Sequence, residues 1–213
     1  MALKAVVFDV GETLVDETRH WGEWADWLGI PRFTLFAVIG GVIAREEDHR
    51  RAFDLVAPGV DLDAELTGRA ARGEWTFAGA DLYPDAAPCL AGLRAAGFRV
   101  GIAANQPEGA VESLARLGVH ADFVGSSAGW GAAKPSPLFF RRVAAEAGCE
   151  PSQIAYVGDR VDNDVVPAAT AGMVPVFVRR GPWGILQAAR PEASVARLRV
   201  DSLAELPALL ARI

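Results

Sequence analysis

From residue 82 onward the chain alternates short apolar runs with segments of helix length, and this rhythm constrains the fold more than any other feature. Pro84–Gly97 predicts a helix closed by glycine, followed by a strand at Phe98–Ala104. Pro107–Leu117 reads as a helix, Asp122–Val124 as a short strand, and Ser136–Ala147 as a helix ending at Gly148. Ile154–Gly158 and Pro175–Val178 are strands on either side of a helix at Asn163–Ala171, and Ser202–Leu210 is a terminal helix. The strand runs are apolar throughout rather than alternating. Strands of that kind are buried on both faces, as in a parallel sheet layered between helices. An α/β fold follows.

The N-terminus supplies one more strand. In KAVVFDVGETLV, Lys4–Val15, four apolar residues run into Asp9, and Gly11 and Thr13 follow at once. An apolar run that ends in a carboxylate at a glycine turn reads as a buried strand. It delivers Asp9 to the carboxyl edge of the sheet, where open α/β folds place their ligands.

Residues 16–83 contain no clear strand and read as helical. Trp21, Trp24 and Trp27 recur at three-residue spacing and share a helix face, with Trp75 late in the segment. Arg32–Glu46 is a very apolar helix with a weak point at Gly40-Gly41. Because this block separates the first strand from the rest, it reads as an inserted helical cap. Its tryptophans form the core of a small bundle in the simpler reading and face a substrate in the sharper one. The expected organisation is a core of 1–15 and 84–213 with an all-α cap at 16–83.

With 213 residues the chain is long enough for one core plus a small insertion. A net charge of −6, with lysine only at Lys4 and Lys134, makes a poor nucleic-acid binder. Two cysteines, Cys89 and Cys149, form no disulfide framework; both fall in predicted helices and suit a reducing compartment. MALKAVVF is too short for a signal peptide and no run approaches a membrane span, so the expected location is cytoplasmic. His20, His49 and His120 are isolated and read as surface or packing residues. The EEDHRR run at Glu46–Arg51 reads as a solvated helix face, the alternative being that Arg45, Arg50 and Arg51 guide an anion. Arg179 and Arg180 follow the last strand near the active-site edge, and read as loop residues.

Four short signals occur in order, each at a strand end or helix start: Asp9, then Ala104-Asn105, then Lys134 in AAKPSPLFF, then GDRVDND from Gly158 to Asp164. Asp9, Asp159 and Asp164 would bring three carboxylates to one edge, and such a group repels itself unless a cation neutralises it. Hard oxygen ligands in that number suit Mg²⁺. Lys134 adds a positive charge that can meet a substrate anion or restrain Asp9.

These segments resemble the haloacid dehalogenase superfamily, on FDVGETL (Phe8–Leu14), AANQ (Ala103–Gln106), KPSPLFF (Lys134–Phe140) and VGDRVDNDVVPAATAGM (Val157–Met173). The resemblance covers the core and implies a Rossmann-like sheet with a helical cap inserted after the first motif. It implies Asp9 as covalent nucleophile, with Lys134 and Thr13 completing the catalytic set. Mg²⁺ would be held by Asp9, Asp159 and the main-chain carbonyl of Gly11, with Asp164 in support. Gly11, Ala104, Asn105 and Arg160 would border the substrate.

Two positions depart from the family's phosphatases, which usually carry Asp where this chain has Gly11 and Ser or Thr where it has Ala104. The first loss removes a general acid/base, typically worth ~10²–10⁴ in rate. The second removes a hydrogen bond to the phosphate worth ~1.5–3 kcal/mol, although the Asn105 N–H can still donate. Glu12 is one residue out of step to replace the acid. The expected function is a Mg²⁺-dependent phosphatase of small phosphorylated metabolites, working through an aspartyl phosphate with impaired acid/base catalysis. The alternatives are a weakly active or inactive member that binds a phosphorylated ligand or a protein, and a hydrolase of 2-haloacid type. A phosphonate hydrolase is disfavoured because residues 16–83 lack the lysine its Schiff base needs. No nucleic acid or membrane partner is expected, and the chain is expected to be a monomer or homodimer.

Overall fold

The computed structural model describes residues 2–71, 76–107 and 110–213. Six strands, β1 Ala5–Phe8, β2 Arg99–Ala104, β3 Phe123–Ser126, β4 Ile154–Gly158, β5 Val174–Val178 and β6 Leu198–Val200, form one parallel sheet in the order β3-β2-β1-β4-β5-β6. β1 is central, with Phe8 level with Ile102 on one side and Val157 on the other. The strand order reverses at β1, so the loops leaving β1 and β4 diverge and open a crevice between them. The pleat sends Val6 and Phe8 to one face of the sheet and Ala5 and Val7 to the other, and each face has its own apolar core. That two-sided burial is why β1 reads as an unbroken apolar run.

The helices are α1 Thr18–Trp27, α2 Arg32–Ala44, α3 Arg51–Val56, α4 Leu62–Ala71, α5 Ala86–Ala95, α6 Ala110–Arg116, α7 Ser127–Trp130, α8 Pro137–Ala147, α9 Val166–Thr170, α10 Gly181–Gln187 and α11 Leu206–Leu210. The chain divides into two compact units: Met1–Asp16 with Phe77–Ile213, which carries the sheet, and Glu17–Thr76, which carries α1–α4. Residues 77–83, read from sequence as part of the helical segment, group instead with the sheet. The reason is backbone pairing: Val15 bridges Leu82, the Tyr83 N–H donates to the Leu14 carbonyl at 3.0 Å, and the Asp16 N–H donates to the Asp81 carbonyl at 2.7 Å. Among the described residues no single helix is long and apolar enough to cross a membrane.

Within the helical unit Trp24 is buried, its ring 5.4 Å from that of Phe53, with the Arg69 guanidinium 4.6 Å over it. Trp27 donates its indole N–H to Glu65 at 2.7 Å. Trp75 lies outside the described residues. The EEDHRR run is not a helix face, because α2 ends at Ala44 and Glu46 takes a left-handed backbone (φ 61°) in the turn before α3. The arginines there are paired within the unit, Arg45 with Glu47, Arg50 with Asp63 and Arg51 with Asp54. His49 packs edge-on against Trp21.

In the sheet unit, β6 and α10 have no counterpart in the sequence reading. The helix expected at Asn163–Ala171 begins as a π-type turn, Val161–Val165, before α9. Cys89 lies in α5, but Cys149 sits in the turn just after α8 rather than inside it. Both thiols are free, and burial pushes that of Cys89 up to about 12.

Candidate active site

Three strand ends and one loop converge on a small polar cluster. β1 delivers Asp9, whose N–H donates to the Val157 carbonyl on β4 at 2.9 Å and so ties the two loops at their roots. β4 delivers Asp159, and the turn after it brings Asp164 back over the strand end. Gly158 makes that return possible: a Cβ at this position would overlap the Asp164 carboxylate. Asp164 is locked by its own turn, accepting the Arg160 N–H at 3.0 Å. Asp9, Asp159 and Asp164 are all buried, and one carboxylate oxygen of each lies within 4.8 Å of the others.

Lys134 reaches this cluster from the loop before α8. Its Nζ lies 2.6 Å from Asp9 Oδ1 and 2.6 Å from Asp164 Oδ1, with the side chain 1% exposed. Asn105, at the end of β2, clasps the Lys134 backbone on both sides: the Lys134 N–H donates to Asn105 Oδ1 at 2.8 Å, and Asn105 Nδ2 donates to the Lys134 carbonyl at 3.0 Å. The side chain of Asn105 is therefore spent on aiming the lysine, a role that its position after Ala104 did not reveal. The Lys134–Pro135 peptide is cis. Burial works against the Lys134 ammonium, but the Asp164 and Asp9 carboxylates hold its pKa well above the ordinary lysine value. Burial pushes the Asp164 carboxyl up to about 6, with Lys134 pulling the other way and Asp9 adding repulsion.

Two of the three carboxylates thus share one ammonium, and Asp159 is the one left over. Its Oδ2 is buried with no hydrogen-bond partner among the described residues. Burial first, then repulsion from Asp164, Asp9 and Glu12, push its carboxyl well above the usual carboxylate range. An orphaned buried oxygen beside two other carboxylates is what a hard divalent cation would satisfy, so the residues fit Mg²⁺.

The remaining sequence candidates occupy less direct positions. Gly11 and Thr13 lie in the tight loop after Asp9, where the Val10 carbonyl accepts the N–H groups of Thr13, Leu14 and Val15. Thr13 is completely buried, its hydroxyl has no hydrogen-bond partner among the described residues, and its carbonyl accepts from Arg180 at 3.2 Å. Glu12 adopts a left-handed backbone (φ 52°) and accepts the Tyr83 hydroxyl proton at 2.6 Å. Ala104 is fully buried at the end of β2 beside Ser126, whose hydroxyl caps α7 and offers no substitute for the missing one. Arg160, expected at the substrate, is partly exposed and paired with a neighbouring carboxylate. Its guanidinium donates to Asp162 at 3.2 and 2.7 Å and lies 5.0 Å over the Trp183 ring.

A model of the haloacid dehalogenase-like hydrolases matches residues 3–172. The chain belongs to that family of hydrolases. Within it, the chain is 33% identical to a glyceraldehyde 3-phosphate phosphatase of Methanopyrus kandleri, over 96% of this chain and 95% of the relative. It is 35% identical to a phosphoglycolate phosphatase of Rhodospirillum rubrum, over 73% of this chain and 67% of the relative. Among solved structures it is similar to an L-2-haloacid dehalogenase from Xanthobacter autotrophicus with chloropropionic acid covalently bound, with a TM-score of 0.70, 21% identity and 98% of each chain covered. The haloacid dehalogenase-like fold is thereby established, but it is shared by enzymes of both names and does not choose between their chemistries.

One structural residue of the site unit was not legible in the sequence. Asp85, in the turn before α5, accepts from Arg180 Nη1 and Nη2 at 3.1 and 2.6 Å, from Ser202 Oγ at 2.6 Å and from the Leu203 N–H at 2.9 Å. Burial would raise its pKa, but Arg180 and Ser202 together hold its carboxyl below the ordinary value. A depressed carboxylate stabilises the fold above the unfolded pKa near ~3.9, and that stability is lost as pH falls through the folded value. Asp85→Asn should therefore lower stability by about 2–3 kcal/mol at pH 7, and the gap should close below about pH 4. Urea melts of both proteins across that range check it, and a gap independent of pH would rule out the ionised carboxylate as the cause.

Proposed function

We propose that the chain is a Mg²⁺-dependent phosphatase acting on small phosphorylated metabolites, with Asp9 as nucleophile. The observation that carries this reading is Asp9 Oδ1 at 2.6 Å from a buried ammonium, beside the unsatisfied oxygen of Asp159. The names of the two phosphatase relatives support a substrate of two or three carbons. In this reading the Asp9 carboxylate attacks phosphorus, the ester P–O bond breaks, and the leaving oxygen takes a proton from solvent water. Water then cleaves the aspartyl phosphate and returns the free carboxylate. Lys134 holds the attacking oxygen in one orientation and offsets its charge. Asp9, Asp159 and the Gly11 carbonyl would hold Mg²⁺, with Asp164 in support; the cation, when bound, supplies positive charge toward the phosphoryl oxygens. The helical unit corresponds to the family's cap, and the two free thiols suit a reducing, cytoplasmic setting.

Gly11 has no side chain to protonate the leaving oxygen, and Tyr83 keeps the Glu12 carboxylate engaged in the loop. The chain should therefore favour esters with good leaving groups. A panel of alkyl, aryl and acyl phosphates, assayed with Mg²⁺ and with chelator, tests this. Activity should require the metal and rise with leaving-group acidity. Gly11→Asp should raise alkyl phosphate turnover by about 10–10²-fold and leave aryl phosphates nearly unchanged. Mass spectrometry after acid quench should find a phosphoryl group on Asp9. Turnover of 2-haloacids with none of phosphate esters would replace this reading with the dehalogenase one.

A further inference from the structure

We propose that Arg180 is a positioning residue that sets the loop carrying Gly11, Glu12 and Thr13 relative to Asp9; this rests on Asp9 being the nucleophile. Arg180 lies two residues beyond β5, the strand beside β4, so it emerges at the same sheet edge as Asp159. Its side chain is 10% exposed and faces back into the unit.

Three observations converge on it. The first is that one guanidinium nitrogen, Nη1, reaches both the Thr13 carbonyl at 3.2 Å and Asp85 Oδ1 at 3.1 Å. A single rigid cation thereby joins the nucleophile loop to the start of α5. Asp85 in turn accepts from Ser202 and Leu203, so the loop after β6 is drawn into the same knot. The second is that the guanidinium lies 4.3 Å over the Tyr83 ring, and the Tyr83 hydroxyl donates to Glu12 Oε2 at 2.6 Å. Arg180 therefore acts on the loop at two residues in succession, Glu12 through Tyr83 and Thr13 directly. The third is Gly181. It takes a left-handed backbone (φ 64°), and a Cβ there would strike the Glu12 side chain, so the chain turns away right after Arg180 and leaves room for that carboxylate.

The planar fork matters. A guanidinium can bond Asp85 twice, donate to a carbonyl and lie flat on a ring at once, whereas an ammonium cannot reproduce that set. Thr13 is four residues from Asp9, and Val10 closes the turn between them, so a shift of the Thr13 backbone moves the groups that meet the substrate. Misplacement by about 1 Å costs on the order of 10²-fold in rate.

The test measures steady-state kinetics on an aryl phosphate with Mg²⁺, normalised to the folded fraction at the assay temperature. Wild type, Asp9→Asn, Arg180→Met, Arg180→Lys, Tyr83→Phe and Arg179→Met are compared. Arg179 pairs with Asp201 on the surface and serves as the control, with kcat unchanged. Arg180→Met should lose about 10–100-fold in kcat with KM within about threefold. Arg180→Lys should recover part of that loss. Tyr83→Phe keeps the ring under Arg180 but removes the hydroxyl that donates to Glu12, and should lose kcat in the same direction by less. If Arg180→Met does not fold, the lysine and phenylalanine variants decide the matter by the same kcat-against-KM split. Full kcat per folded molecule in these variants, or a rise in KM alone, overturns the assignment while Asp9→Asn stays inactive. A wild type inactive on every ester, or an active Asp9→Asn, overturns the nucleophile reading instead.

Discussion

Replacing Asp9 by Asn should reduce phosphate ester turnover by ~10⁴-fold or more, the scale on which loss of a covalent nucleophile acts. An amide has the shape of the carboxylate but not its nucleophilic oxygen, and the phosphoryl label should vanish with it. The same variant should be no less stable than wild type. Asp9 now shares one ammonium with Asp164 and adds repulsion to both Asp159 and Asp164, so removing its charge relieves more than it costs. Active sites commonly hold such unfavourable charge for the sake of the reaction. A thermal melt in metal-free buffer checks this half of the expectation. A large fall in Tm with Asn would mean that the Asp9–Lys134 pair outweighs the repulsion, contrary to the charge count.

Lys134→Met should have the opposite balance. The side chain length is kept, but three buried carboxylates lose their one ammonium. Breaking a buried ion pair by removing one partner costs about 3–5 kcal/mol, a large part of the roughly 5–15 kcal/mol that holds an ordinary domain together. Urea unfolding should show a lower midpoint with an unchanged m value. Added Mg²⁺ should restore part of the loss, since a cation bound only by the folded state stabilises it by mass action. Turnover should fall by about 10²–10³-fold, because the Asp9 carboxylate loses the ammonium that restrains it. A loss of stability below about 1 kcal/mol in metal-free buffer would show that the carboxylates simply take up protons. The ammonium would then be no keystone of the cluster.

Much of the site was legible because a parallel sheet maps sequence order onto space in a simple way. Each apolar run ends at one edge, so a carboxylate just after a run must arrive there. That logic brought Asp9 and Asp159 together across 150 residues of chain, and the structure joins them with Asp164 and Lys134. Short runs and local turns carried less. β6, with three residues, is too brief to stand out, and α10 begins at a glycine and a proline that read as loop. Residues 77–83 read as part of the helical segment because their partners, Leu14 and Val15, lie on the far side of the insertion in the chain. Arg160 lies in a recognisable motif with Asp162 two residues on, but only the fold brings the Trp183 ring under its guanidinium.

The sequence by itself determined the α/β architecture and the edge at which the carboxylates gather. Those properties depend on residue type and on spacing along one strand or one turn, which a linear text records. Only the tertiary structure decided that Asn105 aims Lys134, that Tyr83 holds Glu12, and that Asp85 and Arg180, 95 residues apart, knot three loops behind Asp9. Hydrogen bonds and ion pairs of that kind act over about 3 Å. They exist once the sheet has brought distant loops to one edge, and no pattern along the chain announces them.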